Sequence, residues 1–213
     1  VPVSLLRISQ NEAVISPASQ EDSRRIAELM VAAFQADRTS DISKLLYPPL
    51  PPAEREKRDS GNAKAFSQII ALDKQKIIKA VIGDVVVGFA MWTPSEEDWL
   101  PAPKGDGFAA RYIRQLIKTR RENVGGTRYW YLAILAVDPK YWGHGVGSKL
   151  VQWGLNRADD DKVDCCYLES SMMAQPLYAS MGFKTIAWDC IEEKEAKDGV
   201  CKWPVMIRRR LIS

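Results

Sequence analysis

The chain has 213 residues, of which 46% are hydrophobic and 27% charged, and is most simply one domain over 1–213 with a sizeable buried core. Its formal net charge of +3 is too small to argue for a nucleic-acid partner and better suits a protein with one local anion site. No apolar run approaches the length of a bilayer span, which removes an integral membrane role from the expectations.

Ala13-Val14-Ile15 reads as a short strand. Ser19 then caps a helix with Glu21 and Asp22 in its first turn, and Ile26, Leu29, Met30, Ala33 and Phe34 recur at i, i+3, i+4, i+7 and i+8, predicting a helix to about Ala36. Asp37 to Asn62 is less regular. It holds a proline run and a charged stretch, with Pro51 and Pro52 placed to start a helix that Phe66, Ile69 and Ile70 continue to about Ala71, so one or two helices are expected here. Ile77–Ile82, a Gly83-Asp84 turn and Val85–Trp92 predict a β-hairpin. After a loop from Glu96 to Gly107, Ala109, Tyr112, Ile113, Leu116 and Ile117 mark a further helix. Lys118, Arg120 and Arg121 then read as solvated helix-end charges, and Gly125-Gly126 closes the helix.

Tyr129–Val137 is a strand. A loop with Gly143, Gly145 and Gly147 follows it, and Val146, Leu150, Val151, Gly154, Leu155 and Ala158 then return to helical spacing. Beyond lie a strand over Cys165–Ser170, a short helix over Ala174–Met181 and strands over Thr185–Ile191 and Val205–Leu211. Pro204 must sit at a strand start or at an unpaired position. The four cysteines show no metal-ligand spacing, and adjacent Cys165 and Cys166 would point to opposite faces of a strand. Buried free thiols and the absence of a basic segment with an apolar core in Val1–Ser9 make the expected compartment the cytoplasm.

The strand–glycine loop–helix unit is where chemistry is expected, because glycines let a backbone approach an anion and the first N–H groups of a helix are free to bind phosphate. Two common phosphate loops do not fit. Lys149 stands between Ser148 and Leu150, against the order of a P-loop, and Ser148 occupies the place of the last small residue in a dinucleotide fingerprint. A methyltransferase turn would want an acidic residue where Tyr141 stands. What does fit is Val-x-Pro-x-x-[Gln/Arg]-x-x-Gly-x-Gly. Val137, Pro139, Gly145 and Gly147 match it, with Trp142 in the Gln/Arg place.

That pattern resembles the acetyl-CoA loop of the GNAT superfamily of N-acetyltransferases. Leu177-Tyr-Ala-Ser-Met-Gly-Phe183 resembles the same family's late Tyr-x-x-x-Gly-Phe element, with Ser171 in place of a frequent Asn. The resemblance implies an α/β (α+β) GNAT fold: a mixed sheet of six to seven strands flanked by helices, with an enlarged helical insert between the first helix and the second strand. It also implies an acetyl-CoA-dependent transferase, acting on a primary amine of a small molecule as monomer or homodimer. A protein or peptide acceptor and a non-catalytic acyl-CoA-binding module are the alternatives.

The cofactor would be held by Leu135, Ala136, Val137, Trp142, Gly143, His144, Gly145, Val146, Gly147, Ser148 and Ser171. The N–H groups of Trp142–Ser148 would face the pyrophosphate, and the Leu135–Val137 segment would polarise the acetyl oxygen. Tyr178 is the expected acid for the departing thiolate, and Glu169 the carboxylate best placed to be the base. Phe34, Tyr47, Trp92, Tyr131 and Trp188 are the aromatic candidates for an acceptor pocket, with core packing as the competing role for each. No metal is expected.

Overall fold

A computed structural model describes residues 12–97 and 102–210. Readings on Val1–Ser9, on Asp98 and Pro101 of the loop, and on Leu211 lie outside the described residues. One sheet has the order β1-β2-β3-β4-β5-β7-β6, built from β1 (Val14–Pro17), β2 (Lys76–Ile82), β3 (Val85–Pro94), β4 (Tyr129–Val137), β5 (Cys165–Glu169), β6 (Lys184–Glu192) and β7 (Val200–Arg209). The helices are α1 (Ser23–Ala36), α2 (Asp41–Leu46), α3 (Pro52–Leu72), α4 (Phe108–Val124), α5 (Val146–Asp160) and α6 (Gln175–Ser180). No described helix is long and apolar enough to cross a membrane.

The periodicities account for most of this. Ile26, Leu29, Met30 and Ala33 form the buried stripe of α1, and packing them against Phe66, Phe89 and Met91 covers one face of the sheet. The irregular insert resolves into α2 and α3. Pro52 supplies the first residue of α3, where a missing N–H costs nothing, and Asp73 ends it in a left-handed conformation at φ 49°. The other face is covered by α5, whose Leu150, Val151 and Leu155 join Ala90, Trp92, Trp130 and Leu132 in the largest core cluster. The approach is close: a Cβ on Gly154 would lie 2.0 Å from Trp92 Cε2, so only glycine lets this helix down onto the sheet.

Two irregularities shape the middle of the sheet. Met91 pairs with Ile134 but Trp92 pairs with Leu132, which leaves Ala133 as the extra residue of a β-bulge in β4. Among the described residues the one parallel pairing, β4 with β5, extends only from Tyr129–Tyr131 against Cys165–Tyr167. Beyond it β4 follows β3 as far as Val137, while β5 follows β7 and ends at Glu169. The two strands therefore part, and a wedge opens between them on the side where β4 runs into the glycine loop.

Four expectations are corrected. β7 starts at Val200, not Val205, so Pro204 lies within a strand. Ser170 N–H donates to Pro204 O at 2.9 Å in the opposed pair that follows Glu169 and Val205; the proline lacks only the donor that would have answered Ser170, where β5 has ended. Arg120 is no solvated helix end. It is 7% exposed and its guanidinium lies 3.9 Å over the Tyr131 ring, because Tyr112, Leu116 and Arg120 fall at i, i+4 and i+8 on the inward face of α4. Of the four free thiols, Cys190 is exposed, since it faces outward on edge strand β6. Trp92 is wholly buried beneath α5, on the sheet face away from α1. Cys165 and Cys166 do pack into clusters on opposite faces.

Candidate functional site

The wedge becomes a site through backbone alternation. Asp138 N–H bonds Val87 O of β3 at 2.8 Å. Counting back along a strand, the groups of Ala136 also turn to β3, and those of Leu135 and Val137 turn to the side that β5 has vacated. Ala136, with its side chain in the core against α1, is therefore outside the site. Leu135 and Val137 stay in it.

After Val137 the chain makes a 3-10 turn over Pro139–Tyr141, held by the Asp138 carboxylate, which accepts from Lys140 N–H at 3.1 Å and from Arg25 Nη2 at 3.0 Å. Trp142 Nε1 donates to Val137 O at 2.8 Å and pins the loop back on the strand. Gly143 and Gly145 follow at φ 79° and 76°, a region in which a side chain is strained, with open space where a Cβ would stand. The first intrahelical bond of α5 runs from Lys149 N–H to Gly145 O at 3.1 Å. The N–H groups of Val146, Gly147 and Ser148 therefore precede the helical ladder and point along the positive end of its dipole.

Two of the expected loop donors are taken within the loop itself: Trp142 N–H by Pro139 O at 3.3 Å and His144 N–H by Tyr141 O at 3.4 Å. His144 is exposed, its Nδ1 2.9 Å from Trp142 O, and does not reach the cavity. That cavity has about 500 Å³, with the glycine loop as one wall, Leu135 and Val137 behind it, Phe34 from α1, and Ser171, Ala174 and Leu177 opposite. Ser171 Oγ accepts from Ala174 N–H at 3.2 Å and fixes the turn into α6.

A second cavity of about 490 Å³ adjoins the first, sharing Phe34, Leu135, Ser171 and Ala174 with it. Its walls are aromatic. Phe34 and Tyr47 stack at 5.2 Å, Tyr112 meets Trp203 edge-on at 5.0 Å, and Tyr131 and Tyr178 are the remaining aromatic residues of the lining. Glu169, at the end of β5, projects among them with a side chain only 4% exposed. Burial pushes its carboxyl up to about 7, against the pull of Arg120 3.7 Å away and of the Tyr131 and Tyr167 hydroxyls, which face it without forming a hydrogen bond of good geometry. Burial likewise pushes the Tyr178, Tyr131 and Tyr112 phenols above their ordinary value, so each remains a proton donor.

The structure thus brings together Leu135, Val137, Trp142, Gly143, Gly145, Val146, Gly147, Ser148, Ser171 and Phe34 in the first cavity, and Tyr178, Glu169, Tyr47 and Tyr131 in the second. It does not bring Trp92, under α5, or Trp188, 55% exposed on β6, to either. Arg58, Tyr112, Arg120 and Trp203 are the site residues that the sequence reading missed. The i, i+4, i+8 spacing of Tyr112, Leu116 and Arg120 was the signal for two of them; Trp203 and Arg58 carry none.

The family model described as the acetyltransferase (GNAT) family matches residues 39–183. Among curated protein sequences none matches the chain. Solved structures do match. One is described as histone acetyltransferase HPA2 and related acetyltransferase from Corynebacterium glutamicum, 23% identical over 95% of this chain and 98% of its own, with a TM-score of 0.62. A polyamine N-acetyltransferase of Drosophila melanogaster that forms N-acetylagmatine is 13% identical over 93% of this chain and 100% of its own, at 0.66. The PaiA N-acetyltransferase of Thermoplasma acidophilum, solved in complex with coenzyme A, is 11% identical over 93% and 99%, at 0.56. At these identities the likeness is one of fold.

Proposed function

Since the chain belongs to the acetyltransferase (GNAT) family, whose members use acetyl-CoA, we propose that it transfers the acetyl group directly to a primary amine of a small molecule. The observation that carries this reading is the junction of the two cavities. An anion cradle of backbone N–H groups opens, past Leu135 and Ser171, into an aromatic chamber lined by one carboxylate, Glu169, and four tyrosines, Tyr178 among them.

The residues fit the cofactor. The N–H groups of Val146, Gly147 and Ser148 take its phosphates, and Gly143 and Gly145 keep the approach clear of side chains. When bound, acetyl-CoA supplies a thioester carbonyl open to attack by an amine. The N–H groups that β4 turns into the wedge at Leu135 and Val137 stabilise negative charge on the carbonyl oxygen. Glu169 accepts the proton that an ammonium must lose before it can attack, and a carboxyl titrating near 7 is suited to a base at neutral pH. Tyr178 holds its proton until the sulfur leaves and donates it there. Phe34 and Tyr47, stacked at the chamber's entrance, form the flank of the acceptor pocket together with Tyr131.

A panel of primary amines assayed for thiol release from acetyl-CoA tests the reading. Release that depends on acceptor concentration is the expected result. Thiol appearing no faster with any amine than without one would sink it.

A further inference from the structure

The acceptor chamber is lined by two charged side chains, Glu169 from β5 and Arg58 from α3. The second is unexpected. Arg58 belongs to the charged stretch at the start of α3, in which Ala53 to Lys57 are all exposed. Arg58 and Asp59 alone turn inward, with side chains 16% and 12% exposed. Asp59 accepts from Arg58 Nε at 3.0 Å and holds the guanidinium by one edge. Nη1 is left buried with no hydrogen-bond partner. Asn62, one turn further on, lines the same chamber beside it.

An ion pair drawn out of water on a largely polar helix is not explained by stability, because desolvation offsets most of the attraction. A guanidinium N–H buried without an acceptor is worse, since it forfeits water and gains nothing. The inward turn of the pair is accounted for if the substrate brings an anionic group to the guanidinium of Arg58, a lining residue of the chamber. Arg58 also bears on the chamber's electrostatics, where its charge counters the burial that raises the Tyr47 phenol.

We propose that the acetyl acceptor carries a carboxylate as well as its amine, and that the guanidinium of Arg58 receives that carboxylate while the amine faces Glu169. The substrate class is a small amino-acid-like zwitterion. A plain amine gives the guanidinium no second counter-charge, and a diamine sets its second ammonium against it. The inference rests on the chamber being the acceptor site of an acetyltransferase.

The test compares matched acceptors on the unaltered protein: 4-aminobutyrate with butylamine and 1,4-diaminobutane, and phenylalanine with 2-phenylethylamine. In at least one set, kcat/KM should favour the carboxylated member by about tenfold or more, the scale of one hydrogen bond to a charged group, and the diamine should be the poorest. In R58Q the preference should collapse towards parity through a raised KM, and R58K, which keeps the charge without the fork, should restore part of it. Equal or better turnover of the plain amines and diamine overturns the inference and leaves acetyl transfer standing. Turnover of no amine overturns both. Should R58Q fail to fold, the comparison on the unaltered protein decides alone.

Discussion

The two cavities meet at four residues, yet they are made differently. The first is built of backbone: N–H groups of one continuous loop, the turned edge of β4, and glycines that keep side chains away. The second is built of side chains from α1, α2, α3, α4, β4, β5, α6 and β7, elements far apart in the chain. A backbone cradle can be the same in any sequence that spaces its glycines correctly, because it reads phosphate and nothing more. A side-chain chamber depends on every residue that lines it. Recognition of the shared cofactor and choice of the acceptor are thus separable, and damage to one region should leave the other's constants near normal.

The largest effect is expected in the chamber. Glu169→Gln should lower turnover by about a hundredfold or more, the range of a lost general base, with little change in the acetyl-CoA KM. The unaltered enzyme should gain activity as pH rises through about 7, and the variant should lose that limb. Stability should move the opposite way. The folded carboxyl titrates above its ordinary 4.5, so the folded state holds more protons between pH 4.5 and 7 and stability falls across that window, by roughly 3 kcal/mol in total. Chemical denaturation of both proteins at pH 5 and pH 8 measures this, and an equal slope in Glu169→Gln would show that another group titrates. At pH 5, where the folded carboxyl is already neutral, the variant should have about the stability of the unaltered protein, and at pH 8 it should not have lost the increment that ionisation costs.

Tyr178→Phe keeps the ring, and with it the edge-on packing against Phe183 at 5.9 Å, and removes one oxygen. Turnover should fall by roughly ten- to a thousandfold at near-normal stability. A leaving group of lower pKa should recover part of the loss. Full activity would remove the phenol from the mechanism.

The converse perturbation belongs to the cradle. Gly145→Val should raise the acetyl-CoA KM by about tenfold or more while the relative rates among amines stay in order. It also places a branched side chain at φ 76°, so a loss of about 1–2 kcal/mol should accompany it in a thermal melt. A changed order among the amines would show that the two regions are coupled. Smallest is the effect of ligand on the unaltered protein. Acetyl-CoA at a hundred times its Kd should stabilise by about 2.7 kcal/mol, and NAD, ATP and S-adenosylmethionine should not.

The cradle was legible in the sequence because it is local. Val137, Pro139, Gly145 and Gly147 fall within eleven residues, and the strand before them ends at Val137 as its apolar run predicts. Helix α1 closes at Ala36 for a similar reason: its period is uninterrupted. The chamber was legible only where one residue's chemistry stood out, as with Glu169 and Tyr178. Trp92 could not be placed, because β3 is buried on both faces and its sequence lacks the alternation that names a side. Trp188 lies on an edge strand where exposed and half-buried residues do alternate, but a tryptophan's size suggested a pocket more strongly than its parity suggested solvent. Arg58 shows the limit most clearly: nothing in a run of charges says which member will turn inward.

Pro204 sets where two strands stop zipping. The opposed pair after Glu169 and Val205 makes one of its two bonds, from Ser170 N–H to Pro204 O, and the proline has no hydrogen to return to the Ser170 carbonyl. An ordinary residue there would complete the rung and give β5 reason to continue along β7. The next residue is Ser171, which stands at the mouth between the two cavities. The missing hydrogen thus works as a stop on strand growth, sparing the doorway from being drawn into the sheet. A gain of order at this position would close a passage that the chain keeps open by leaving one bond unmade.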